Sequence, residues 1–241
     1  MTEEKKREKL REIVAQTDNI VFFGGAGVST ESGIPDFRSV DGLYHQQYDY
    51  PPETILSHTF YERNPEEFFR FYRAKMVKPG AQPNAAHRKL AQWEREGKLR
   101  AIVTQNIDGL HQKAGSQKVL ELHGSVLRNY CERCGKFHGT EEILEQEGVP
   151  QCECGGRIKP DVVLYEESLN QQTISEAVQY IRQAKVLMIG GTSLAVYPAA
   201  GLIDYFSGEQ LVLINKTATP RDASADLCIQ GSIGEVLDAM P

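Results

Sequence analysis

Short apolar runs recur along this chain, and each ends at a glycine or a polar residue. The first run, Asn19–Phe23, opens into the glycine-rich stretch Gly24–Gly33. Three later runs follow the same plan: Leu99–Thr104, Lys185–Ile189 and Gln210–Ile214. Runs of this length bounded by glycine are typical of strands buried on both faces of a parallel sheet. The pattern predicts an open α/β sheet, and in such sheets ligands bind at the carboxyl ends of the strands.

Helical patterns fall between these runs. Residues 84–96 and 171–183 separate predicted strands, and residues 3–16 place Leu10 and Val14 on one apolar face. Parallel strands must be joined by crossover connections, which are usually helices. We therefore expect a Rossmann-like parallel sheet with helices on both faces.

Four of the five cysteines form two close pairs, Cys131/Cys134 and Cys152/Cys154. This spacing is close to that of a four-thiolate zinc ribbon, although the second pair is one residue tighter than usual. Two disulfides or four unrelated buried thiols are the alternatives. We favour one structural zinc ion, and an odd cysteine count suits a reducing cytoplasm. The fifth cysteine, Cys228, lies in an apolar run and is expected to be a buried small hydrophobe.

Two stretches break the alternation of strands and helices. One is rich in aromatic residues and proline and contains a helical pattern at Asn64–Tyr72; the other carries the cysteines and a short helix around Glu141–Gln146. We expect both to be insertions that form a smaller domain over the ligand edge of the sheet. The predicted main domain comprises residues 1–38, 82–125 and 160–241, and the predicted small domain, a helical module plus zinc ribbon, comprises residues 39–81 and 126–159.

The charge balance and the apolar pattern exclude some classes of partner. The net charge of −6 argues against nucleic acid, because phosphate neutralisation needs clustered lysine and arginine. The charged N-terminus lacks the apolar core of a secretory signal, and no apolar run approaches the length of a membrane span. We expect a cytoplasmic protein with no membrane partner.

Polar side chains gather after the predicted strands. The turn Gly25–Ser29 alone is equally compatible with an ordinary tight βα turn, but its continuation is more distinctive. There Asp36 adds a carboxylate, Phe37 could cap a flat ring and Arg38 could hold a phosphate through two hydrogen bonds.

A second polar group follows the strand that ends at Thr104. Gln105, Asn106 and Asp108 suit an amide and ribose hydroxyls better than a phosphate, and an Asx-rich turn that caps the next helix is the alternative. His123 follows a short strand at Val119–Leu120 and could accept a proton from a hydroxyl, and the alternative is that it is structural, as single histidines usually are. We place His111 behind this site, and we expect the other histidines to be structural or surface residues: His45, His58, His87 and His138.

The ordered set of motifs resembles the sirtuins of bacterial type, the NAD-dependent protein-lysine deacylases of the Sir2 family. No single motif is decisive, but the set spans almost the whole chain in the family's order. The matching elements are Gly25–Ser29, Gly33–Arg38, Thr104–Asp108, Leu122–Gly124, the cysteine pairs, Gly191–Ser193 and Asn215.

The resemblance implies an NAD-binding main domain with NAD as co-substrate. His123 would be the general base, and Asn106 and Asp108 would act in catalysis by lining the nicotinamide pocket together with Ile107. The residues implied to contact NAD are Gly25, Ala26, Gly27, Thr30, Asp36, Phe37, Arg38, Gln105, Asn106, Ile107, Asp108, His123, Gly191, Thr192, Ser193, Asn215 and Ile233. The four paired cysteines would hold one structural zinc ion.

The resemblance also implies the reaction and the partner. The acyl group of an acyl-lysine would pass to ADP-ribose, with nicotinamide leaving before His123 deprotonates a ribose hydroxyl. Acyl-lysine proteins or peptides would bind as an extra strand between Val162–Glu166 and Gly191–Val196. We expect the protein to act as a monomer.

The acyl preference depends on one helix of the small domain. Sirtuins that prefer acidic acyl groups carry a tyrosine and an arginine three residues apart, whereas this chain has Tyr72 and Lys75. Lysine lacks the guanidinium fork, so the sequence favours acetyl or longer uncharged groups over acidic ones.

Three other functions stay open: a hydride-transferring NAD(P) dehydrogenase, a mono-ADP-ribosyltransferase and a non-catalytic binding module.

Overall fold

The structure is a computed structural model that describes residues 1–36 and 50–241. No helix in these two ranges is long and apolar enough to cross a membrane. The strands, numbered in chain order, are β1 (Ile20–Gly24), β2 (Leu99–Thr104), β3 (Val119–Glu121), β4 (Gly124–Cys131), β5 (Phe137–His138), β6 (Ile158–Val162), β7 (Val186–Gly190), β8 (Gln210–Asn215) and β9 (Leu227–Gln230). The α-helices are α1 (Glu3–Gln16), α2 (Pro52–Ile55), α3 (His58–Arg63), α4 (Pro65–Phe71), α5 (Ala85–Arg95), α6 (Leu110–Lys113), α7 (Thr140–Glu145), α8 (Gln171–Gln183) and α9 (Ile233–Asp238).

Six strands form one parallel sheet in the order β3-β2-β1-β7-β8-β9. Gly24, the last residue of β1, pairs with Thr104 at the end of β2 and with Gly190 at the end of β7. The carboxyl ends of the three central strands are therefore level with one another. This arrangement confirms the predicted Rossmann-like α/β sheet and brings the predicted polar motifs to one edge.

Strand β1 is buried on both faces because its side chains alternate between two cores. Ile20 and Phe22 pack with residues of α1, α5 and α9, whereas Val21 and Phe23 pack with residues of α8 and of the 3-10 helix Ala199–Tyr205. All four side chains are fully buried. A strand enclosed in this way must be apolar along its whole length, which is the pattern visible in the sequence.

Three helices that pack against the parallel sheet were predictable from their periodicity. Helices α1 and α8 match the predicted spans of residues 3–16 and 171–183. Helix α5 begins one residue later than predicted, because the side chain of Asn84 caps it by accepting from the amides of Ala86 and His87.

A second, antiparallel sheet has the order β5-β4-β6. The sequence predicts a ribbon and the short helix α7 in this region, but it does not predict these strands. Strand β4 buries the polar Asn129, and β6 carries Lys159 and Pro160, so neither shows an apolar run. Pro160 fits because β6, among the described strands, pairs only with β4 and so lies at the edge of its sheet, where a missing amide hydrogen is tolerated.

A third hydrophobic core joins the two stretches that interrupt the alternation. Tyr61, Phe68 and Phe69 from α3 and α4 pack with Val126 and Ile158 from the antiparallel sheet. Helix α4 continues into a π-helix at residues 72–76, a rare form often associated with functional positions. This core agrees with the insertion of a smaller domain, while the boundaries between the two domains stay a prediction.

Candidate active site and metal centre

The glycine-rich turn after β1 packs directly against the turn after β7. The amide of Gly27 donates to the carbonyl oxygen of Gly191 over 2.8 Å. A Cβ atom on Gly27 would lie 2.8 Å from the Cα of Gly191, and one on Gly25 would lie 2.8 Å from the Cβ of Thr192 and 2.9 Å from Oε1 of Gln105. Only glycine permits so close an approach of two backbones. Three predicted motifs therefore meet at the carboxyl edge of the sheet.

A short chain of hydrogen bonds fixes Gln105 at this edge. The Thr192 hydroxyl donates to Oε1 of Gln105 over 3.0 Å, and the side-chain amide of Asn215 donates to the Thr192 carbonyl oxygen over 3.0 Å. The Nε2 group of Gln105 is buried and has no hydrogen-bond partner among the described residues. A buried amide donor of this kind requires an acceptor, and a ligand hydroxyl would supply one.

Asn106 and Asp108 are held together by Ser29. The Ser29 hydroxyl donates to Oδ2 of Asp108 over 2.6 Å and accepts from Nδ2 of Asn106 over 3.0 Å. The other carboxylate oxygen of Asp108 accepts from the amide of Leu110 over 2.9 Å. Both predicted catalytic side chains are thus fixed in orientation before any ligand binds.

Ser29 is a site residue for which the sequence predicts no role. It lies within the glycine-rich motif, and its side chain is almost fully buried. Its place in that turn is the only signal in the sequence, because Asp108, its acceptor, lies 79 residues further along the chain.

His123 lies between the two sheets, with its ring orientation set by the backbone. Its Nδ1 is 3.0 Å from the carbonyl oxygen of Gln105, and since a carbonyl only accepts, Nδ1 carries the proton. The Nε2 atom is then the basic nitrogen. Burial lowers the pKa of His123 below its ordinary value, and the bond to Gln105 opposes this only in part. The ring is therefore neutral and able to accept a proton near pH 7.

Two further histidines lie side by side beneath the sheet edge. The rings of His87 and His111 are 4.7 Å apart between centroids, and both residues are buried. Burial lowers the pKa of His87 to about 4 and that of His111 well below its usual range. His111 packs against Phe22, in agreement with its predicted place behind the site, whereas His87 is a core residue. Neither ring carries a charge near pH 7.

Three further predicted NAD contacts lie around the same edge. Ala26 and Thr30 stand in the two 3-10 turns after β1, and Ile233 begins α9 beside Gly190. Phe37 and Arg38 lie outside the described residues, as does His45. Asp36 and Ile107 are half-buried and Ser193 is exposed. Contact of all these residues with NAD stays a prediction.

The four paired cysteines converge on one point. Cys131 ends β4, and the four sulfur atoms all lie within 4.8 Å of one another. The Sγ atoms of Cys131 and Cys154 are 3.4 Å apart, and those of Cys134 and Cys152 are 3.8 Å apart. These separations exclude the disulfide alternative, because an S–S bond is only about 2 Å long.

The cluster has the dimensions of a zinc site. Four thiolates bound tetrahedrally to zinc would lie about 3.8 Å from one another. The backbone amide of Cys134 lowers the pKa of Cys131 to about 6, toward the thiolate form that binds zinc. The tight second pair is accommodated by Gly155, which has a φ of 76°, and by Gly156, where a Cβ would lie 2.7 Å from the sulfur of Cys131.

Comparison with known proteins finds a matching family model and relatives of high sequence identity. The model of the Sir2 family matches residues 25–198. The chain is 61% identical to the NAD-dependent protein deacetylase of Clostridium perfringens, over 96% of this chain and 97% of the relative. It is 58% identical to the enzyme of the same name from Clostridium acetobutylicum, over 98% of each.

Solved structures of Sir2 enzymes have the same fold as this chain. A Sir2 enzyme structure superposes with a TM-score of 0.88 at 41% identity, covering 98% of this chain and 96% of the other. A Sir2 complex with a p53 peptide and NAD+ superposes with a TM-score of 0.84 at 39% identity, covering 95% of each chain. Fold, motif order and sequence agree, and this chain belongs to the Sir2 family.

Proposed function

We propose that this protein is an NAD-dependent protein-lysine deacetylase, which transfers the acyl group of acyl-lysine to ADP-ribose and releases nicotinamide. The observation that carries the proposal is the meeting of a fixed Ser29–Asn106–Asp108 network and a neutral His123 at one edge of the sheet. The two clostridial relatives carry this activity in their names. A related Sir2 structure holds a deacetylated p53 peptide together with 3'-O-acetyl ADP-ribose.

NAD, when bound, supplies a ribose carbon from which nicotinamide can depart. The nicotinamide carboxamide needs both a hydrogen-bond donor and an acceptor. The side-chain amide of Asn106 and the carboxylate of Asp108 suit it. Their bonds to Ser29 fix them in advance, so little ordering is required when the ligand arrives. The buried donor of Gln105 suits a ribose hydroxyl.

His123 is the base of this proposal. Its Nδ1 proton is engaged by the backbone of Gln105, so its Nε2 is directed away from that bond and can take a proton from a hydroxyl. The carbonyl oxygen of His123 accepts from the amide of Val163 over 3.0 Å. This bond places the proposed peptide-binding segment, Val162–Glu166, directly beside the base.

The acyl group that fits best is a short uncharged one. Tyr72, the tyrosine of the acidic-acyl pattern, is 1% exposed, and its ring stacks on Phe68 with centroids 5.7 Å apart. Lysine at position 75 supplies a point charge without the two directed donors of a guanidinium. Acetyl-lysine is therefore the expected substrate, in preference to succinyl-lysine.

The proposal is tested by a panel of peptides that differ only in the acyl group on one lysine. Nicotinamide release is measured with acetyl, longer uncharged and succinyl groups in the presence of NAD. We expect the acetyl peptide to be consumed fastest and the succinyl peptide slowest. A succinyl rate equal to or above the acetyl rate would contradict the assigned preference.

The His123→Ala variant provides the control for the site. It should lose deacetylation by at least about a hundredfold while it keeps the fold and the zinc of the parent protein. Deacetylation that survives in this variant would show that His123 is not the base.

A further inference from the structure

The short peptide link that leads from the parallel sheet into the antiparallel sheet runs through the proposed catalytic histidine. Strand β3 of the parallel sheet ends at Glu121, and β4 of the antiparallel sheet begins at Gly124. Only Leu122 and His123 lie between them. The orientation of the His123 ring therefore depends on how the two sheets are set relative to each other.

The backbone on both sides of this link is tightly paired. Glu121 pairs with Thr104 on β2, and the amide of Leu122 donates to the Thr104 carbonyl oxygen over 2.9 Å. On the other side Gly124 pairs with Val162 on β6. The link is thus fixed to the parallel sheet before His123 and to the antiparallel sheet after it.

One arginine joins the two sides of the link through its guanidinium. Nη1 of Arg128 donates to Oε2 of Glu121 over 2.7 Å, and Nε donates to Oδ2 of Asp161 over 2.7 Å. Glu121 belongs to the parallel sheet, while Arg128 and Asp161 belong to β4 and β6 of the antiparallel sheet. The side chain of Glu121 is only 9% exposed, so its carboxylate depends on this cation.

We propose that Arg128 is a positioning residue for His123, which sets the angle between the two sheets at the catalytic base by bridging Glu121 and Asp161. This inference rests on the proposed function for its activity readout. The planar guanidinium gives two donors in fixed directions, which hold two carboxylates at a defined separation. Arg128 does not touch the reacting atoms; it acts through the peptide link that carries the base.

The test variant is Arg128→Lys, which keeps the charge but loses the two directed donors. Nicotinamide departure precedes the step that needs the base, so exchange of labelled nicotinamide into NAD, in the presence of acetyl peptide, reports on the site without the base. We expect deacetylation to fall about tenfold in this variant, because small displacements of a catalytic group are costly, while exchange changes by less than about twofold. The His123→Ala variant should show the same split between the two reactions.

Arg100→Lys is the matched control. Arg100 lies on β2 away from its carboxyl end, donates through Nε to the carbonyl oxygen of Asp18 over 2.8 Å and lies 3.6 Å from its carboxylate. This variant should leave both reactions unchanged. An Arg128→Lys variant that deacetylates like the parent, or that loses exchange and deacetylation in parallel, would overturn the proposal.

A second variant and a measurement made without substrates also test the role of Arg128. Asp161→Asn removes one carboxylate charge and leaves Glu121 paired, so it should fold and show a weaker form of the same split even if Arg128→Lys is unstable. Nitrogen-15 NMR of the histidine rings, without NAD or peptide, should show less of the Nδ1-protonated form of His123 in Arg128→Lys than in the parent. An unchanged His123 signal would overturn the positioning role, whereas absence of deacetylation in the parent would overturn the proposed function alone.

Discussion

At the scale of single residues, burial and one backbone hydrogen bond set the protonation state of His123. The carbonyl oxygen of Gln105 fixes which ring nitrogen carries the proton, and burial lowers the pKa of the ring. The position of His123 after a short strand and before a glycine makes it one candidate base among the histidines, and the family resemblance selects it. The sequence does not indicate the tautomer, which depends on a carbonyl oxygen 18 residues earlier in the chain.

The lowered pKa of His123 predicts the pH dependence of the reaction. A base whose pKa is lowered stays neutral, and hence active, at pH values where an ordinary histidine, with a pKa of about 6.5, would be protonated. The acid limb of the plot of kcat/KM against pH should therefore lie below about 6.5. A limb at or above that value in the parent protein would contradict the burial argument.

At the scale of secondary structure elements, the parallel sheet was predictable apart from its edge strand β9, and the antiparallel sheet was not. The central strands β1 and β7 are buried along their whole length, so their sequences are apolar throughout. Strand β4 instead carries Arg128 and Asn129, whose partners are Asp161 and the His138 carbonyl oxygen in other strands. Pairings between distant segments determine such a strand, and local sequence patterns do not reveal them.

Gly124 begins β4 at the junction of the two sheets, and its replacement tests how closely β4 and β6 approach each other. Its φ is 76°, and a Cβ there would lie 1.9 Å from the carbonyl oxygen of Asp161. Gly124→Ala should cost about 3 kcal/mol or more of unfolding free energy, because the backbone strain is joined by a clash that β6 can relieve only by moving. The measurement is urea unfolding.

Gly148→Ala is the matched control for this prediction. Gly148 also has a positive φ, of 64°, but a Cβ there meets nothing within 4 Å. The control should cost only the backbone strain, about 1 kcal/mol. Equal losses in the two variants would show that the close approach at Gly124 does not constrain the junction.

At the scale of the whole molecule, the proposed site of the chemistry lies at the edge of the parallel sheet, and the four-cysteine cluster lies beside the antiparallel sheet. The cysteine spacing predicts the four-thiol cluster, and the sulfur positions confirm that the four can share one ion. With four thiolate ligands zinc has no open position, so it would not activate water. Its expected contribution is to the folding of the antiparallel sheet, which begins directly after His123.

Removal of the metal should therefore stop catalysis indirectly. Cys134→Ser should lower the zinc content from about one ion per chain and make the region around residues 126–162 sensitive to protease, with deacetylation lost as a consequence. Cys228→Ser, outside the cluster, should leave zinc content, protease resistance and activity unchanged. Full activity of a zinc-free protein would contradict this structural role.

If this protein is an NAD-dependent deacetylase, one NAD is consumed for each lysine that is deacylated, and a product balance measures this ratio. The purified protein is incubated with NAD and an acetyl-lysine peptide, and nicotinamide, O-acetyl-ADP-ribose, free-lysine peptide and NADH are quantified together. We expect equal amounts of the first three products and no NADH. Formation of NADH, or transfer of labelled ADP-ribose to protein without loss of the acetyl group, would contradict this expectation.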